Sequence, residues 1–320
     1  MAADWPRLPA ETSGPAWPAI PIKAVARPAA KPFSFELGAR YWYSSGTTTF
    51  AFTNGSPFFG DPTSTIDWNN MEGHSGEIFG RVKHRPTGYF VKGLLGGGKI
   101  VSGEMIDRDF FAGGLKFSDT SSNIEGDNLK FAMIDLGFSR DIPELGLRGG
   151  AFVGYHYWSE NLTAFGVRCN PDDVGGFFCG PPGSVPVPFD VAVMTYQPTW
   201  HAARVGFDWK MNYGRWSFSG DVAGIPYAHV TNDDSHLLRA DLGPTPNIIT
   251  HSKWAVGAEL DLFVNYALTQ NLEVGTGFRY WGLFAQSGKV EFGPGFGQDL
   301  ALRNMEQQRY GLLVQLKGKF

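Results

Sequence analysis

Cysteine is nearly missing from this chain, and charge is scarce. Only Cys169 and Cys179 occur, and Asp, Glu, Lys and Arg together make 18% of the 320 residues, where soluble domains average about a quarter. Neither sign dominates: 27 Lys and Arg against 31 Asp and Glu leave a net charge of −4. That excludes a dedicated nucleic-acid binder, which needs a surplus of cations to neutralise phosphates. No run of about 18 apolar residues is present, so there is no transmembrane helix. Helical periodicity is almost absent too, which excludes an ordinary α/β enzyme. What the chain does have is 15% aromatic residues, 42 glycines and 21 prolines. A sequence this aromatic and this poorly charged is not disordered.

The first thirty-two residues carry Pro6, Pro9, Pro15, Pro18, Pro21, Pro28 and Pro32 among alanines. Such a composition cannot sustain a helix and predicts an extended tail over 1–32. No apolar signal core precedes it, and Ala2-Ala3-Asp4 resembles the start of a mature exported protein. Cys169 and Cys179 flank a loop with no CxxC and no nearby His. A disulfide closing that loop in an oxidising compartment is therefore favoured over a metal site, and no metal or cofactor is expected.

From residue 33 onward the dominant signal is alternation with period two, the signature of strands. At the C-terminus Tyr310, Leu312, Val314, Leu316 and Phe320 share one face, while Gln315, Lys317 and Lys319 share the other. Ten strand-like segments follow this pattern, near 34–53, 64–84, 89–106, 128–141, 147–166, 197–212, 215–231, 252–266, 272–288 and 305–320. Four tight turns (85–88, 141–146, 212–214, 267–271) alternate strictly with five long connections (54–63, 107–127, 167–196, 232–251, 289–304). Short turns on one side and long loops on the other are the pattern of an outer-membrane barrel. In a bilayer every backbone polar group must be paired, and closure is the way a sheet achieves it. The expected fold is all-β, a ten-stranded antiparallel up-and-down transmembrane β-barrel over 33–320. An even strand number puts both termini on the periplasmic side. Tyr41, Tyr43, Tyr89, Trp216, Tyr266, Tyr280 and Trp281 fit interfacial girdles.

Two polar clusters fall at outer strand ends. Met105-Ile-Asp107-Arg-Asp109-Phe110 closes the third segment, and Asn232-Asp-Asp234-Ser-His236 closes the seventh. Residues i and i+2 of a strand share a face, so Asp107 goes with Asp109, and Asp234 with His236. Four strands apart in a ring of ten, the clusters would face each other across a groove on the order of 15 Å wide at the backbone. A His can accept a proton near neutrality, and a carboxylate two residues away can orient its ring. Two close carboxylates opposite resist double ionisation and can share a proton. Such a set suits hydrolysis by an activated water, with no Ser or Cys nucleophile.

With these residues the chain resembles the omptins, outer-membrane proteases with ten-stranded barrels and an Asp-Asp/Asp-His site. Leu37-Gly38, Ser45-Gly46, Ile66-Asp67-Trp68, Gly154-Tyr155 and the Tyr310–Phe320 end add to the two acidic clusters. The resemblance implies Asp107 and Asp109 as the carboxylate couple and Asp234 with His236 as the water-activating pair. It implies a substrate pocket bordered by the Thr47–Phe50 stretch and by Asn232. There the family places acids that hold a basic side chain, and here Phe50 and Asn232 stand instead, so preference for basic residues is expected to be lost. It also implies lipopolysaccharide as a possible activator bound on the outer wall. After Gly154-Tyr155 the family carries an Arg that this chain lacks, leaving Tyr155, Lys99 and Lys253 as candidate lipid contacts. Phe320 matches the C-terminal signature read by barrel-assembly machinery. The expected setting is the bacterial outer membrane, with the active face outward, a peptide substrate, no nucleic acid and a monomeric barrel.

Strict alternation from Tyr89, Val91, Gly93 and Leu95 would turn Asp107 towards lipid. Trp216, Phe218 and Val222 pose the same conflict for Asp234. A β-bulge corrects such a mismatch, and Gly96-Gly-Gly98 or Gly103 is the expected place in the third strand. The competing reading is a non-catalytic barrel on the same scaffold: an adhesin, a receptor or a narrow pore. A lipid-modifying barrel would want a Ser/His pair on the lipid-facing wall, and no such spacing occurs. A soluble β-sandwich is disfavoured by the alternation of turn lengths.

Overall fold

The computed structural model describes residues 31–293 and 299–320. Among them ten strands follow one another: β1 (Phe33–Thr53), β2 (Phe59–His84), β3 (Tyr89–Phe111), β4 (Lys116–Ile142), β5 (Leu147–Cys169), β6 (Val187–Tyr213), β7 (Trp216–His236), β8 (Ile248–Ala267), β9 (Leu272–Phe292) and β10 (Asp299–Lys319). Every strand pairs antiparallel with its sequence neighbours, and β1 closes onto β10. The fold is a closed up-and-down transmembrane barrel with no free sheet edge. The proline-rich segment expected as a tail falls outside the described residues, apart from its last two positions.

At the end where the chain enters β1, the connections are tight. Gly88, Gly146 and Gly214 complete three of these turns at φ of 84°, 58° and 59°, a backbone region in which a Cβ is penalised. At the other end the strands run on far beyond the segments expected from sequence. Stretches read as long loops, 107–127 and 232–236 among them, are largely strand. Their outer face is no longer apolar and their buried inner face carries polar residues such as Ser122, Asn232 and Asp234, which erases the apolar alternation used to recognise strands. The outer face carries its apolar band nearer the short turns. Leu37, Ile78, Leu95, Leu136, Val153, Val222, Leu312 and Val314 are all exposed there, as a hydrocarbon-facing wall requires.

The lumen is filled. Trp42, Trp158, Trp281 and Phe131 form an edge-to-face layer, with Trp281 centred 4.8 Å from Trp42 and 5.1 Å from Phe131. Next to this layer lies an ion network. Arg279 donates to Glu77 and Asp261, each at 2.6 Å, and stacks over Trp281 at 4.5 Å. Arg204 reaches Asp135, Asp221 and Glu259, each at 3.1 Å. His156 Nδ1 meets Glu259 Oε1 at 2.6 Å. The cavity among these charges measures about 130 Å³.

Arg309 and Glu160 are fully buried and paired at 2.7 Å, and Arg309 also donates to Ser44 Oγ at 3.1 Å and to the Met71 carbonyl at 3.2 Å. Removing one member of a buried pair strands the other charge, at a cost of about 3–5 kcal/mol. Arg309→Met is expected to lower barrel stability by that amount in denaturant titrations. Adding Glu160→Leu should recover much of the loss, whereas a double variant as unstable as the two single losses combined would show that the pair does not act as a unit.

Candidate active site

The inner face of β3 changes parity part-way up. Ile100 and Met105, 2% and 3% exposed, both point inward though they are five residues apart. The ladder to β2 shifts between Gly73↔Ile100, Glu72↔Ser102 and Asn69↔Glu104. This bulge lies beside Gly103, while Gly96, Gly97 and Gly98 keep regular register with Glu77, Gly76 and Ser75. On β2 the matching shift falls at Asn70, the one non-glycine residue with positive φ (52°) among those described. Trp68 and Met71, three apart, are both buried as a result. On β7 the change occurs between Ile225 and Ala228, across Pro226 and Tyr227. Pro226 has no N–H to give the ladder, so the position is suited to a bulge. These shifts carry Asp107, Asp109, Asp234 and His236 onto the inner face.

Asp107 lies between Ile66 and Thr120, and Asp109 between Ser64 and Ser118. Asp234 lies between Tyr196 and Ile248. His236 Nε2 stands 3.5 Å from Asp234 Oδ2, an ion-pair distance. Asn247 fixes the His236 backbone: its Oδ1 accepts from His236 N at 2.9 Å, and its Nδ2 donates to His236 O at 3.2 Å. Its own N–H donates to the Asp234 carbonyl at 3.1 Å. The two clusters share one electrostatic neighbourhood, since the charges of both His236 and Asp234 act on Asp107.

These residues stand above the apolar band, so their ionisation follows the cleft. Burial, then the neighbouring Asp109 charge, pushes the Asp107 carboxyl well above the usual carboxylate range. Burial raises Asp109 as well, against a Ser64 hydrogen bond that lowers it. The couple therefore retains a proton where isolated carboxylates would not. For His236, burial alone would lower the pKa; the Asp234 charge, with that of Asp107, outweighs it and the pKa rises.

The two residues expected to border the substrate join this group. Phe50 is buried with its ring 6.2 Å from Tyr196, the cross-strand neighbour of Asp234. Asn232 is buried opposite Thr250. Tyr196 Oη, Thr48 Oγ1, Thr250 Oγ1, both Asn232 amide atoms, both Asp234 carboxylate oxygens and Asp107 Oδ1 have no hydrogen-bond partner among the described residues. Buried polar atoms are usually paired; these are free to meet a bound molecule, and further unpaired atoms lie lower in the lumen, on His156, Arg204, Glu160 and Arg309 among others. Thr48 lies within the Thr47–Phe50 stretch expected at the pocket border, whereas Tyr196, Thr250, Ser64 and Asn247 were not among the residues expected from sequence. Tyr196, Thr250 and Ser64 stand on β6, β8 and β2 and Asn247 just before β8, and strand pairing brings them to the site.

The candidate lipid contacts do not gather. Lys99, Tyr155 and Lys253 are all exposed, but they stand on β3, β5 and β8, separate sectors of the wall. Tyr155 Oη is 2.5 Å from His201 Nδ1, and Lys99 lies opposite His74. Cys169 and Cys179 are disulfide-bonded, with Cα atoms 5.7 Å apart. Among the described residues no group of three or more His, Cys, Asp or Glu side chains is arranged to hold a metal.

No protein-family model matches the sequence, and no curated protein is similar to it. Among solved structures the chain is similar to the outer membrane protease OmpT from Escherichia coli, at 15% identity and TM-score 0.70, covering 90% of this chain and 97% of that one. Neisserial surface protein A follows at 11% identity and TM-score 0.31, covering 91% and 98%. A Pseudomonas aeruginosa FadL homologue follows at 10% identity and TM-score 0.25, covering 90% of each chain. The likeness to OmpT establishes the fold.

A side-chain NMR titration tests the electrostatics of the cleft. His236 is expected to titrate above the ordinary imidazole value of about 6.5. Asp234→Asn removes the charge that favours the imidazolium, so the titration should move to lower pH. An ordinary or lower value that Asp234→Asn leaves unchanged would contradict the pairing.

Proposed function

We propose that this barrel is an outer-membrane endopeptidase whose cleft opens to the cell exterior and which cuts peptide bonds with an activated water. One observation carries the reading: Asp107, Asp109, Asp234 and His236, distant in sequence, are turned by bulges onto one inner face amid buried polar atoms that lack protein partners. In this reading His236, neutral and oriented by Asp234, takes a proton from water as the hydroxide oxygen attacks the scissile carbonyl carbon. The proton shared by Asp107 and Asp109 hydrogen-bonds the carbonyl oxygen as negative charge develops there. When the C–N bond breaks, the imidazolium returns its proton to the leaving amine. Atoms and charge balance without a covalent intermediate or a metal.

The pocket beside Asp234 offers Asn232, Thr250, Tyr196 and Phe50 in place of a counter-ion. A buried Arg or Lys side chain would enter unpaired, which is costly. Substrates cut beside uncharged residues are therefore favoured. The setting that goes with this reading is the bacterial outer membrane, reached through barrel-assembly machinery that reads Phe320, whose side chain faces outward and is 64% exposed. The termini would then be periplasmic and the barrel a monomer. Lipopolysaccharide is a candidate activator. The narrow-pore alternative is disfavoured by the tryptophan layer and ion network that fill the lumen.

Refolded protein, with and without rough lipopolysaccharide, is expected to cleave an unbiased peptide mixture read by mass spectrometry. His236→Ala and Asp107→Asn should each lower the rate by about 10²–10⁴-fold. Dibasic sites should not be preferred. Cleavage at dibasic sites above all others would contradict the pocket assignment. No cleavage by a folded, lipid-supplied barrel would move the function to binding.

A further inference from the structure

The far lip of the barrel carries a second surface. Phe111 ends β3 two residues beyond Asp109, past a register shift in the ladders to both β2 and β4. Phe111 lies across the ladder from Phe59, with rings 6.0 Å apart. It also packs on Phe117 at 4.2 Å. Phe178, from the loop between β5 and β6, joins them at 5.2 Å from Phe117 and 6.2 Å from Phe111. Phe177 lies against Phe178 at 5.0 Å. Phe177 and Phe178 are 80% and 56% exposed. Contiguous exposed aromatics on a soluble-facing rim generally mark a binding surface.

The lip is prearranged. The Cys169–Cys179 disulfide closes the loop that bears Phe177 and Phe178. Asp172 Oδ1 accepts from Val174 N at 3.1 Å and Gly176 N at 2.8 Å. The loop docks on the start of β4, with Asp173 N donating to Lys116 O and Asn170 N to Asp119 O, both at 2.8 Å. Charges beside the rings are already paired, Lys116 with Asp119 at 2.6 Å and Arg108 with Asp67 at 2.8 Å. A partner therefore meets apolar surface beside cations that are already paired.

Lipid is not that partner. Val101 is the last strongly exposed apolar residue on the outer face of β3, and Phe111 is ten residues further on. At about 3.3 Å per residue and a tilt of about 40°, the lip stands roughly 25 Å above the apolar band.

We infer that this aromatic lip is an exosite that grips apolar side chains of an extended polypeptide running on into the Asp107–Asp109 cleft. The identity of the bound chain as substrate rests on the peptidase reading; the grip itself does not. The aromatic cluster begins two residues beyond Asp109 on the same strand, which ties its occupant to a chain held in the cleft. Rigid aromatic rings supply contact area at small entropic cost.

The test uses two fluorescein-labelled unstructured peptides. One carries phenylalanines towards one end, and its twin has serines at those positions. Anisotropy is measured on full-length refolded barrel bearing His236→Ala, with and without Phe177→Ser/Phe178→Ser. A Leu145→Ser control lies in a turn at the opposite end and is 66% exposed. Melting in detergent checks that all variants fold. The phenylalanine peptide is expected to bind roughly tenfold more weakly to the Phe177/Phe178 variant, and the serine peptide and the Leu145 control should show no change. With His236 intact, the loss should appear in KM rather than kcat. Equal binding of the phenylalanine peptide with and without the two side chains overturns the exosite. So does wild-type-lip protein that binds both peptides alike. If the His236-intact barrel cleaves neither peptide, the peptidase reading fails, and the anisotropy still decides the lip.

Discussion

A strand shows alternate residues to opposite faces, and no side chain can escape that period without a break in the ladder. In this barrel the period is broken part-way up the wall. Below the break the rule separates lipid-facing leucines and valines from a packed lumen. Above it, the opposite parity points inward. Asn70 on β2, the Val101–Gly103 stretch on β3 and Pro226-Tyr227 on β7 are where the change occurs. Without those shifts Asp107 and Asp234 would project from the outer wall. The catalytic reading, the neutral pocket and the aromatic lip all depend on them.

The interior carries paired charges below and a polar cleft above. Near the apolar band Arg279 binds Glu77 and Asp261, and Arg309 binds Glu160. Five tryptophans are fully buried among or above them: Trp42, Trp68, Trp158, Trp200 and Trp281. At the level of Asp234, Asn232, Thr250, Thr48, Tyr196 and Asp234 have side-chain atoms with no hydrogen-bond partner among the described residues, and so, lower down, do His156, Arg204, Glu160 and Arg309. The cleft atoms differ in standing beside the Asp–His pair, where a bound molecule can meet them. Asn247, in the connection before β8, clamps the His236 backbone.

Much of this was legible in the chain. Period-two alternation, strict turn spacing and the polar clusters at 105–110 and 232–236 point to the barrel and to Asp107, Asp109, Asp234 and His236. The conflict between Leu95 and Asp107 demanded a bulge at Gly96-Gly-Gly98 or Gly103, and the ladder has it beside Gly103. Strand length was not legible: in the projecting wall the outer face is not apolar and the buried inner face is partly polar, as at Ser122 and Thr250, so 116–127 and 248–251 read as loop. Nor were the cross-strand partners. Tyr196 and Asp234 are 38 positions apart, and only their ladder makes them neighbours. The phenylalanines at 59, 111, 117 and 178 appear as isolated aromatics until three connections fold together. Lys99, Tyr155 and Lys253 carried no register information, and they stand on separate strands.

The peptidase reading rests on the Asp couple and the Asp–His pair working as one unit across the cleft. A double-variant cycle in kcat, with His236→Ala, Asp107→Asn and both together, measures this directly. Groups that serve one transition state are strongly non-additive, so the double variant should be scarcely slower than either single one. Losses that multiply, each variant costing its full factor in the presence of the other, would mean that the two clusters act independently and would contradict the account.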